Sequence, residues 1–189
     1  MIARLKPLSL VESALLLAAL TSAGLLAGAH AFETFGGLAP CKLCLDQREA
    51  HWAGLGVALA GVILAFALKA RRAAAAAAGA CALIYVVSSG LAAYHAGVER
   101  HYWPGPKTCS GGGPVNVEGL DLGAELGAPA SGPSCDAVAW EFLGVTMAGY
   151  NLLISAGLAA LCLVAAANAA RNARHSVRAG AALGEELTK

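Results

Sequence analysis

The sequence predicts an all-α membrane protein, a four-transmembrane-helix bundle with two loops on the outer side of the membrane. Two observations support this fold class. The 189-residue chain is 58% apolar and only 13% charged, whereas soluble domains are about 45–50% apolar and about 25% charged. Four apolar segments also have close to the roughly 20 residues that a helix needs to cross a bilayer. We therefore interpret residues 1–189 as a single integral membrane domain.

The four helices are expected at about residues 9–32, 51–68, 73–93 and 142–170. The first contains one acidic residue, Glu12, and the other three contain no Lys, Arg, Asp or Glu. Backbone groups in lipid must be hydrogen-bonded within the protein, and alanine- and leucine-rich runs of this length favour helices over barrel strands. The two outer loops then cover about residues 33–50 and 94–141.

The positive charges predict the orientation of the chain. Most of the 13 Lys and Arg residues lie near the termini or in the turn between the second and third helices: Arg4, Lys6, Lys69, Arg71, Arg72, Arg171, Arg174, Arg178 and Lys189. Since Lys and Arg concentrate on the cytoplasmic side of membrane proteins, both termini are expected in the cytoplasm and both loops outside. In a bacterium this is a multi-pass protein of the inner membrane with periplasmic loops. The net charge of +1 gives no argument for nucleic-acid binding.

The first segment has an alternative interpretation as a cleavable signal peptide. Arg4 and Lys6 precede an apolar run, and residues 29–31 read AHA, as at a cleavage site. The run is longer than the usual signal core of about 7–15 residues, which favours a retained helix. Cleavage would leave the later three helices oriented as before.

Four of the six cysteines lie in the two predicted loops: Cys41, Cys44, Cys109 and Cys135. The other two, Cys81 and Cys162, lie inside predicted helices, where a free cysteine usually behaves as a small apolar residue. On an oxidising periplasmic side, loop cysteines can form lasting disulfides. Four cysteines allow three pairings, and one of these pairings keeps each bond within its own loop.

The segment PCKLCLDQR, residues 40–48, favours a reactive cysteine pair. Closing so small a loop removes little chain entropy, which argues against a purely structural disulfide, and small strained disulfides tend to exchange. If the second helix begins soon after Pro40, Cys44 lies near a helix N-terminus, where a thiolate is favoured. Arg48 would then lie one turn further on the same face, where it could stabilise the thiolate and donate to an oxygen-bearing ligand. The alternative for Arg48 is an interface residue that reaches lipid phosphate.

Cys109 and Cys135 enclose a stretch rich in Gly, Pro and Ser, which predicts an exposed, mobile loop. Within it, VEGLDLGAEL has the apolar spacing of a short helix lying on the membrane surface. A mobile disulfide here could meet a soluble partner and then exchange with the first pair. The alternative is a structural bond across a long loop.

Electrons relayed between two disulfides must leave the chain. The sequence has no G-x-G-x-x-G after a strand and no iron–sulfur cysteine spacing, and Leu45 stands where haem attachment needs a histidine. A quinone dissolved in the bilayer accepts two electrons, as many as a disulfide exchanges, and could reach Cys44 and Arg48. The residues therefore predict electron transfer from thiols to a membrane quinone.

Three separated stretches, PCKLCLDQR, LAAYHAGVERHYWPGPKTC and CDAVAWEFLGVTMAGYN, together resemble the disulfide bond formation protein B (DsbB) family of bacterial inner membranes. The resemblance runs from about Pro40 to Asn151. It implies a protein dithiol:quinone oxidoreductase that reoxidises a periplasmic thioredoxin-fold donor resembling DsbA and so sustains disulfide bond formation. The quinone would be ubiquinone or menaquinone, and the donor either a general oxidase or a dedicated partner.

The resemblance also implies a role for each loop cysteine. Cys41 and Cys44 would be the quinone-coupled pair, with Cys44 as the thiolate facing the quinone and Arg48 in contact with its ring. Cys109 would be attacked by the reduced donor, and Cys135 would then attack Cys41. His95 and His101 are candidates for quinone contacts, and interfacial polar residues are the alternative for both.

Other interpretations remain possible from the sequence. Vitamin K epoxide reductases also couple a C-x-x-C to membrane quinones, although usually late in the catalytic segment. A non-enzymatic membrane scaffold or metal-handling protein could hold a four-cysteine zinc site, but Cys109 and Cys135 are not a close pair, so no metal ligand is predicted. Two inert structural disulfides are a further possibility. A four-helix bundle needs no partner to close, so a monomer is expected.

Overall fold

The structure is a computed structural model that describes residues 8–109 and 133–187, with side chains described as far as residue 178. Within these ranges the chain is almost entirely helical. Its long helices are α1 (Leu10–Thr34), α2 (Lys42–Phe66), α3 (Arg71–Glu99) and α4 (Met147–Leu187). A 3-10 turn and an antiparallel hairpin lie between α3 and α4: Lys107–Cys109, then β1 (Glu141–Phe142) and β2 (Val145–Thr146). All four helices are long and apolar enough to cross a membrane, so the predicted fold class is confirmed.

The second helix begins earlier than the hydropathy predicted. α2 starts at Lys42 instead of near residue 51, so the expected loop at residues 33–50 shrinks to a short connection. Hydropathy marks only the apolar part of this helix, whereas the same helical backbone continues through its charged first turns. The helix starts here because Cys41 is its N-cap. The Sγ atom of Cys41 accepts the backbone N–H of Cys44 at 3.3 Å, which satisfies a donor that the first turn leaves free.

The segment between α3 and α4 also differs from the expectation. α3 continues past residue 93 to Glu99, and α4 begins at Met147 rather than at residue 142. The hairpin occupies the intervening residues, and both residues of its turn, Leu143 and Gly144, have positive φ values of 50° and 76°. Positive φ at both central positions is what a tight type I′ hairpin requires. The surface helix expected at residues 117–126 lies outside the described residues.

Small residues form the core of the bundle. α3 packs most extensively against α4 and α2, and α1 packs mainly against α2. Large apolar side chains point outward, as Leu20 and Leu83 do at 70% exposure each. Lipid tails are as apolar as leucine, so helices in a bilayer associate through close approach at small residues. The buried core is accordingly rich in alanine: Ala14, Ala18, Ala58, Ala74, Ala78, Ala159 and Ala165.

Gly54 of α2 marks one point of close approach. A Cβ atom there would lie 2.8 Å from the hydroxyl oxygen of Tyr85, and that fully buried ring is held by a hydrogen bond to Ser22. We expect Gly54→Ala to lower the free energy of unfolding by about 1–3 kcal/mol, the usual cost of overpacking. Gly56→Ala is the matched control, because a Cβ at Gly56 meets nothing within 4 Å and both variants gain equally in helix propensity. Thermal unfolding in detergent measures the difference, and equal transition temperatures would contradict the predicted clash.

Candidate functional site

The first cysteine pair lies at the N-terminus of α2. Cys41 caps the helix and Cys44 lies in its first turn, which brings the two sulfur atoms within 2.8 Å of each other. Both are free thiols, Cys41 buried and Cys44 partly exposed. A hydrogen bond to Cys44, together with burial, raises the pKa of the Cys41 thiol. The N-terminus of α2 favours a thiolate at this pair.

His95, in the last two turns of α3, packs against this pair. Its Nε2 atom lies 3.6 Å from the Sγ of Cys41 and 3.9 Å from Oε1 of Glu99. Its Nδ1 atom lies 2.8 Å from Nε2 of Gln47. The other carboxylate oxygen of Glu99 accepts a hydrogen bond from the hydroxyl of Thr146 at 2.5 Å. His95 and Glu99 are only 3% and 7% exposed, so the face of Cys41 that meets α3 is closed to solvent.

Arg48, one turn after Cys44, is held against α1. Its Nη1 atom donates to Oε2 of Glu33 at 2.5 Å, and its Nη2 atom donates to the carbonyl oxygen of Ala29 at 3.1 Å. The side chain of Arg48 is 15% exposed. A guanidinium has five N–H donors, so the two bonds to α1 leave others for a ligand.

A cavity of about 550 Å³ adjoins these residues and lies between α1, α2 and the start of α4. Its polar lining groups come from α2, from α3 and from the segment that leads into α4, and include Cys44, Gln47 and Arg48 of α2. Small-molecule sites typically have about 300–1,000 Å³, mostly apolar walls and a few polar groups. The remaining walls fit that description, with side chains that include Leu25, Phe32, Trp140 and Ile154.

The second cysteine pair is a disulfide packed against the first pair. Cys109 and Cys135 are bonded to each other, with their Cα atoms 5.3 Å apart. They form one buried cluster with Cys41, Leu43 and Val98. Because the two are only 5% and 0% exposed, the expectation of an exposed disulfide is wrong for this state of the protein. The residues between them, 110–132, lie outside the described part of the chain.

The two candidate histidines occupy different places. His95 lies against Cys41 and lines the cavity. His101 follows the end of α3 with a positive φ of 56°, is exposed, and does not line the cavity. The structure therefore brings His95, but not His101, to the cysteine pair.

Polar side chains continue from Gln47 into the middle of the bundle. Asn151 of α4 donates to Gln47 at 2.6 Å and lies 2.8 Å from His51. His51 is in turn 3.0 Å from Ser22 of α1, and Ser22 is 2.8 Å from Tyr85 of α3. Each of these side chains is at most 9% exposed. Among the described residues, no buried side-chain nitrogen or oxygen lacks a hydrogen-bond partner. Polar groups inside membrane-spanning segments are costly and usually mark a functional site.

The sequence reasoning assigned no role to Glu33, Glu99 or His51, although Glu99 lies within the stretch LAAYHAGVERHYWPGPKTC. Glu99 follows His95 by four residues and His51 follows Gln47 by four, so helical periodicity places each of these pairs on one face. That spacing could have indicated Glu99 and His51. No local pattern indicates Glu33, because its partner Arg48 is on a different helix.

Comparisons with known proteins identify the family of this chain. A family model described as "Disulfide bond formation protein DsbB" matches residues 11–165. Disulfide bond formation protein B of Methylococcus capsulatus is 36% identical over 163 residues, which cover 82% of this chain and 94% of that protein. The protein of the same name from Xanthomonas oryzae pv. oryzae is 32% identical over 179 residues, or 85% of this chain and 92% of that protein.

A third relative, disulfide bond formation protein B 2 of Pseudomonas entomophila, is 30% identical over 167 residues, covering 82% of this chain and 90% of that protein. No solved structure matches the chain at a significant level. The family match includes all four long helices at least in part and both cysteine pairs. The chain is therefore a multi-pass membrane protein that belongs to the DsbB family of disulfide bond formation proteins.

Proposed function

We propose that this protein is a thiol–quinone oxidoreductase that reoxidises a periplasmic thioredoxin-fold donor resembling DsbA. The overall reaction converts a donor dithiol and a quinone into a donor disulfide and a quinol, so that two electrons and two protons move together. The observation that carries the proposal is the position of Cys44. Its sulfur lies 2.8 Å from that of Cys41, and the same residue lines the apolar cavity.

The cavity residues suit a quinone. Its apolar walls match the ring and the start of the isoprenoid tail, and Arg48 offers guanidinium N–H groups to a carbonyl oxygen. His95 is the second proposed binding residue, since it lines the cavity and contacts Cys41. When bound, ubiquinone or menaquinone would supply a two-electron acceptor. The residues that hold it would be those of the cavity wall.

Thiol–disulfide exchange would connect the two cysteine pairs. A donor thiolate attacks Cys109, a donor–Cys109 bond forms, and Cys135 leaves as a thiolate. Cys135 then attacks Cys41 of an oxidised Cys41–Cys44 pair, and Cys44 leaves as a thiolate. The second donor thiol attacks the donor–Cys109 bond, which forms the donor disulfide and releases Cys109 as a thiolate. Cys109 then attacks Cys135 of the Cys135–Cys41 bond, so that Cys41 leaves as a thiolate and the Cys109–Cys135 bond is restored. The pair Cys41 and Cys44 is then reduced and returns to a disulfide when the quinone accepts its two electrons.

We infer from the burial of the second disulfide that the described state belongs to one stage of this cycle. Cys109 and Cys135 pack directly against Cys41, which supports exchange between the two pairs. A donor protein cannot reach a sulfur that is 5% exposed. We therefore propose that Cys109 leaves this cluster to meet the donor and returns to it for the internal exchange.

The placement of charges supports a bacterial inner-membrane location. Lys69, Arg71 and Arg72 surround the α2–α3 connection, and the positive-inside rule puts this end of the bundle in the cytoplasm. The opposite end, which holds both cysteine pairs, would then face the periplasm. We propose a monomeric, single-domain protein whose donor is either a general oxidase or a dedicated partner.

A zinc site is the second candidate, and one observation favours it. The ligand atoms of Cys41, Cys44 and His95 all lie within 4.8 Å of one another, and zinc binds thiolate sulfur and imidazole nitrogen. Metal analysis of the purified protein, combined with titration by a reductant, separates the two functions. Tightly held zinc with sulfurs that never cycle would support metal handling and exclude the oxidoreductase.

The direct test of the proposed function mixes the purified protein with a reduced DsbA-like donor and a soluble quinone. We expect catalytic loss of quinone absorbance that requires both the donor and the protein. Matching amounts of quinol and of oxidised donor would support the balanced reaction. Loss of quinone without oxidation of the donor, or no turnover at all, would overturn the proposal.

Arg48→Ala tests the proposed quinone contact. We expect the apparent KM for quinone to rise about tenfold or more, because hydrogen bonds from charged groups contribute about 1.5–3 kcal/mol. Arg100→Ala is the matched control, since Arg100 is exposed, donates to the carbonyl oxygen of Gly144 and does not line the cavity. Initial rates over a range of quinone concentrations measure both variants. An unchanged quinone dependence in Arg48→Ala would remove Arg48 from the site.

A further inference from the structure

We propose that a buried chain of hydrogen bonds, which runs from Ser22 to Cys41, holds His95 with its proton on Nε2, so that His95 donates to the Cys41 sulfur. The side chains between these ends would be positioning residues for the redox pair. This inference deepens the proposed function and rests on it, because Cys41 belongs to the pair that would reduce the quinone. The location of the proton follows from the chemistry of the donors and acceptors along the chain.

Gln47 fixes the direction in which the hydrogen bonds of this buried series run. Its Nε2 atom lies 3.2 Å from the backbone oxygen of Leu43, which can only accept, so the amide nitrogen of Gln47 must point there. The same nitrogen lies 2.8 Å from Nδ1 of His95. Since an amide nitrogen only donates, Nδ1 of His95 must be an acceptor. A neutral imidazole with an accepting Nδ1 carries its proton on Nε2.

Asn151 holds the other end of the Gln47 amide. Its Nδ2 atom donates to Oε1 of Gln47 at 2.6 Å. Its Oδ1 atom is therefore turned the other way, where it lies 2.8 Å from Nε2 of His51 and 3.0 Å from the hydroxyl of Ser155. Both of these groups must donate to that oxygen. If the Gln47 amide turned over, its nitrogen would face the Asn151 nitrogen and its oxygen would face the Leu43 carbonyl, so both contacts would be lost.

The remaining bonds run in the same direction. Because Nε2 of His51 donates, Nδ1 of His51 accepts, and the hydroxyl of Ser22 must donate to it at 3.0 Å. The hydroxyl of Tyr85 lies 2.8 Å from the oxygen of Ser22 and also donates to the carbonyl oxygen of Ala18 at 3.3 Å. From Ser22 onward, every donor along the hydrogen-bond chain points toward Cys41. All four long helices contribute, so the direction is a property of the assembled bundle.

The protonated Nε2 of His95 has two side-chain acceptors nearby. One is the Sγ of Cys41 at 3.6 Å, and the other is Oε1 of Glu99 at 3.9 Å. To return to a disulfide, Cys41 and Cys44 must both lose their protons as two electrons pass to the quinone. An N–H donor beside Cys41 stabilises the thiolate that forms there. The same proton opposes zinc, because a histidine ligates zinc through a nitrogen that carries no proton.

Nitrogen NMR of histidine-labelled protein tests the proton position without donor or quinone, so its outcome is independent of whether the proposed function holds. We expect His95 to show an unprotonated Nδ1 and a protonated Nε2, and His51 to show the same pattern. Gln47→Met, which keeps the length of the side chain but removes its amide, should convert His95 to a mixture of the two neutral forms. Ser88→Ala is the matched control, because Ser88 contacts Ser155 in the same buried region but is not part of the series of hydrogen bonds that ends at Cys41.

The effect on the cysteine is measured by the carbon NMR signal of the Cys41 Cβ during a pH titration in a Cys44→Ala background. In that background the titratable and charged groups near Cys41 are His95 at 3.6 Å, Glu99 beyond it, and Arg48, one turn after position 44. We expect Gln47→Met to move the titration of Cys41 upward by about one pH unit or more, and Ser88→Ala to leave it unchanged. A proton on Nδ1 of His95 in the unmodified protein would overturn the inference, even if a variant failed to fold. Equal shifts in Gln47→Met and Ser88→Ala would also overturn it, because general packing would then account for both.

Discussion

Cys44→Ser is expected to abolish quinone reduction, with a loss of rate of at least about a thousandfold. Cys44 lies in the first turn of α2, contacts the sulfur of Cys41 and lines the cavity. A serine hydroxyl at the same position keeps the size of the side chain but remains protonated at neutral pH and cannot form a disulfide. The measurement follows the absorbance of a soluble quinone in the presence of the reduced donor.

Cys162→Ala is the control for this experiment. Cys162 is a free, fully buried cysteine of the helix core and does not line the cavity. We expect this variant to turn over at close to the normal rate, which separates loss of the reacting thiolate from loss of any cysteine. Turnover by Cys44→Ser at a rate comparable to that of Cys162→Ala would show that the quinone receives its electrons elsewhere.

Cys109→Ser is expected to stop oxidation of the donor protein by at least about a thousandfold while leaving the first cysteine pair active. The donor would attack Cys109, so its loss removes the entry point of the relay. The pair Cys41 and Cys44 sits on a separate element, the start of α2, and needs only the cavity to reach the quinone. After chemical reduction and removal of the reductant, the variant should still reduce one equivalent of quinone in a single turnover.

The double variant Cys109→Ser, Cys135→Ser is the control for that measurement, because a lone Cys135 could form a bond to Cys41. We expect the double variant and Cys109→Ser to give the same single-turnover yield. Full-rate oxidation of the donor by Cys109→Ser would show that the order of the relay is wrong. A loss of the single turnover in both variants would show instead that the second disulfide is needed to maintain the first site.

The helices and the reactive first cysteine pair could be predicted from the sequence because local residue patterns indicate them. An apolar run of about 20 residues predicts a membrane helix wherever it occurs, and all four expected segments lie largely within observed helices. The start of α2 was the main error, since Lys42, Asp46 and Arg48 lower the hydropathy without breaking the helix. The N-cap geometry of Cys41 corrects it by about two and a half turns.

The position of the second disulfide could not be predicted from the sequence in the same way. A stretch rich in Gly, Pro and Ser is usually exposed, and nothing in its composition reports that Cys109 and Cys135 pack against Cys41 and Val98. Burial of a loop cysteine depends on the surface that the rest of the chain offers to it. Here that surface is formed by the ends of two separate helices.

The sequence alone determined that this chain crosses a membrane four times as helices and that a C-x-x-C lies just before the second apolar segment, because hydropathy and motif spacing depend on neighbouring residues. Only the tertiary structure decided which groups surround the sulfurs. His95 reaches Cys41 across 54 residues of chain, Glu33 holds Arg48 from another helix, and Asn151 meets Gln47 across 104 residues. The physical reason is that a hydrogen bond between helices depends on how their faces pack, and no spacing within a single helix encodes that geometry.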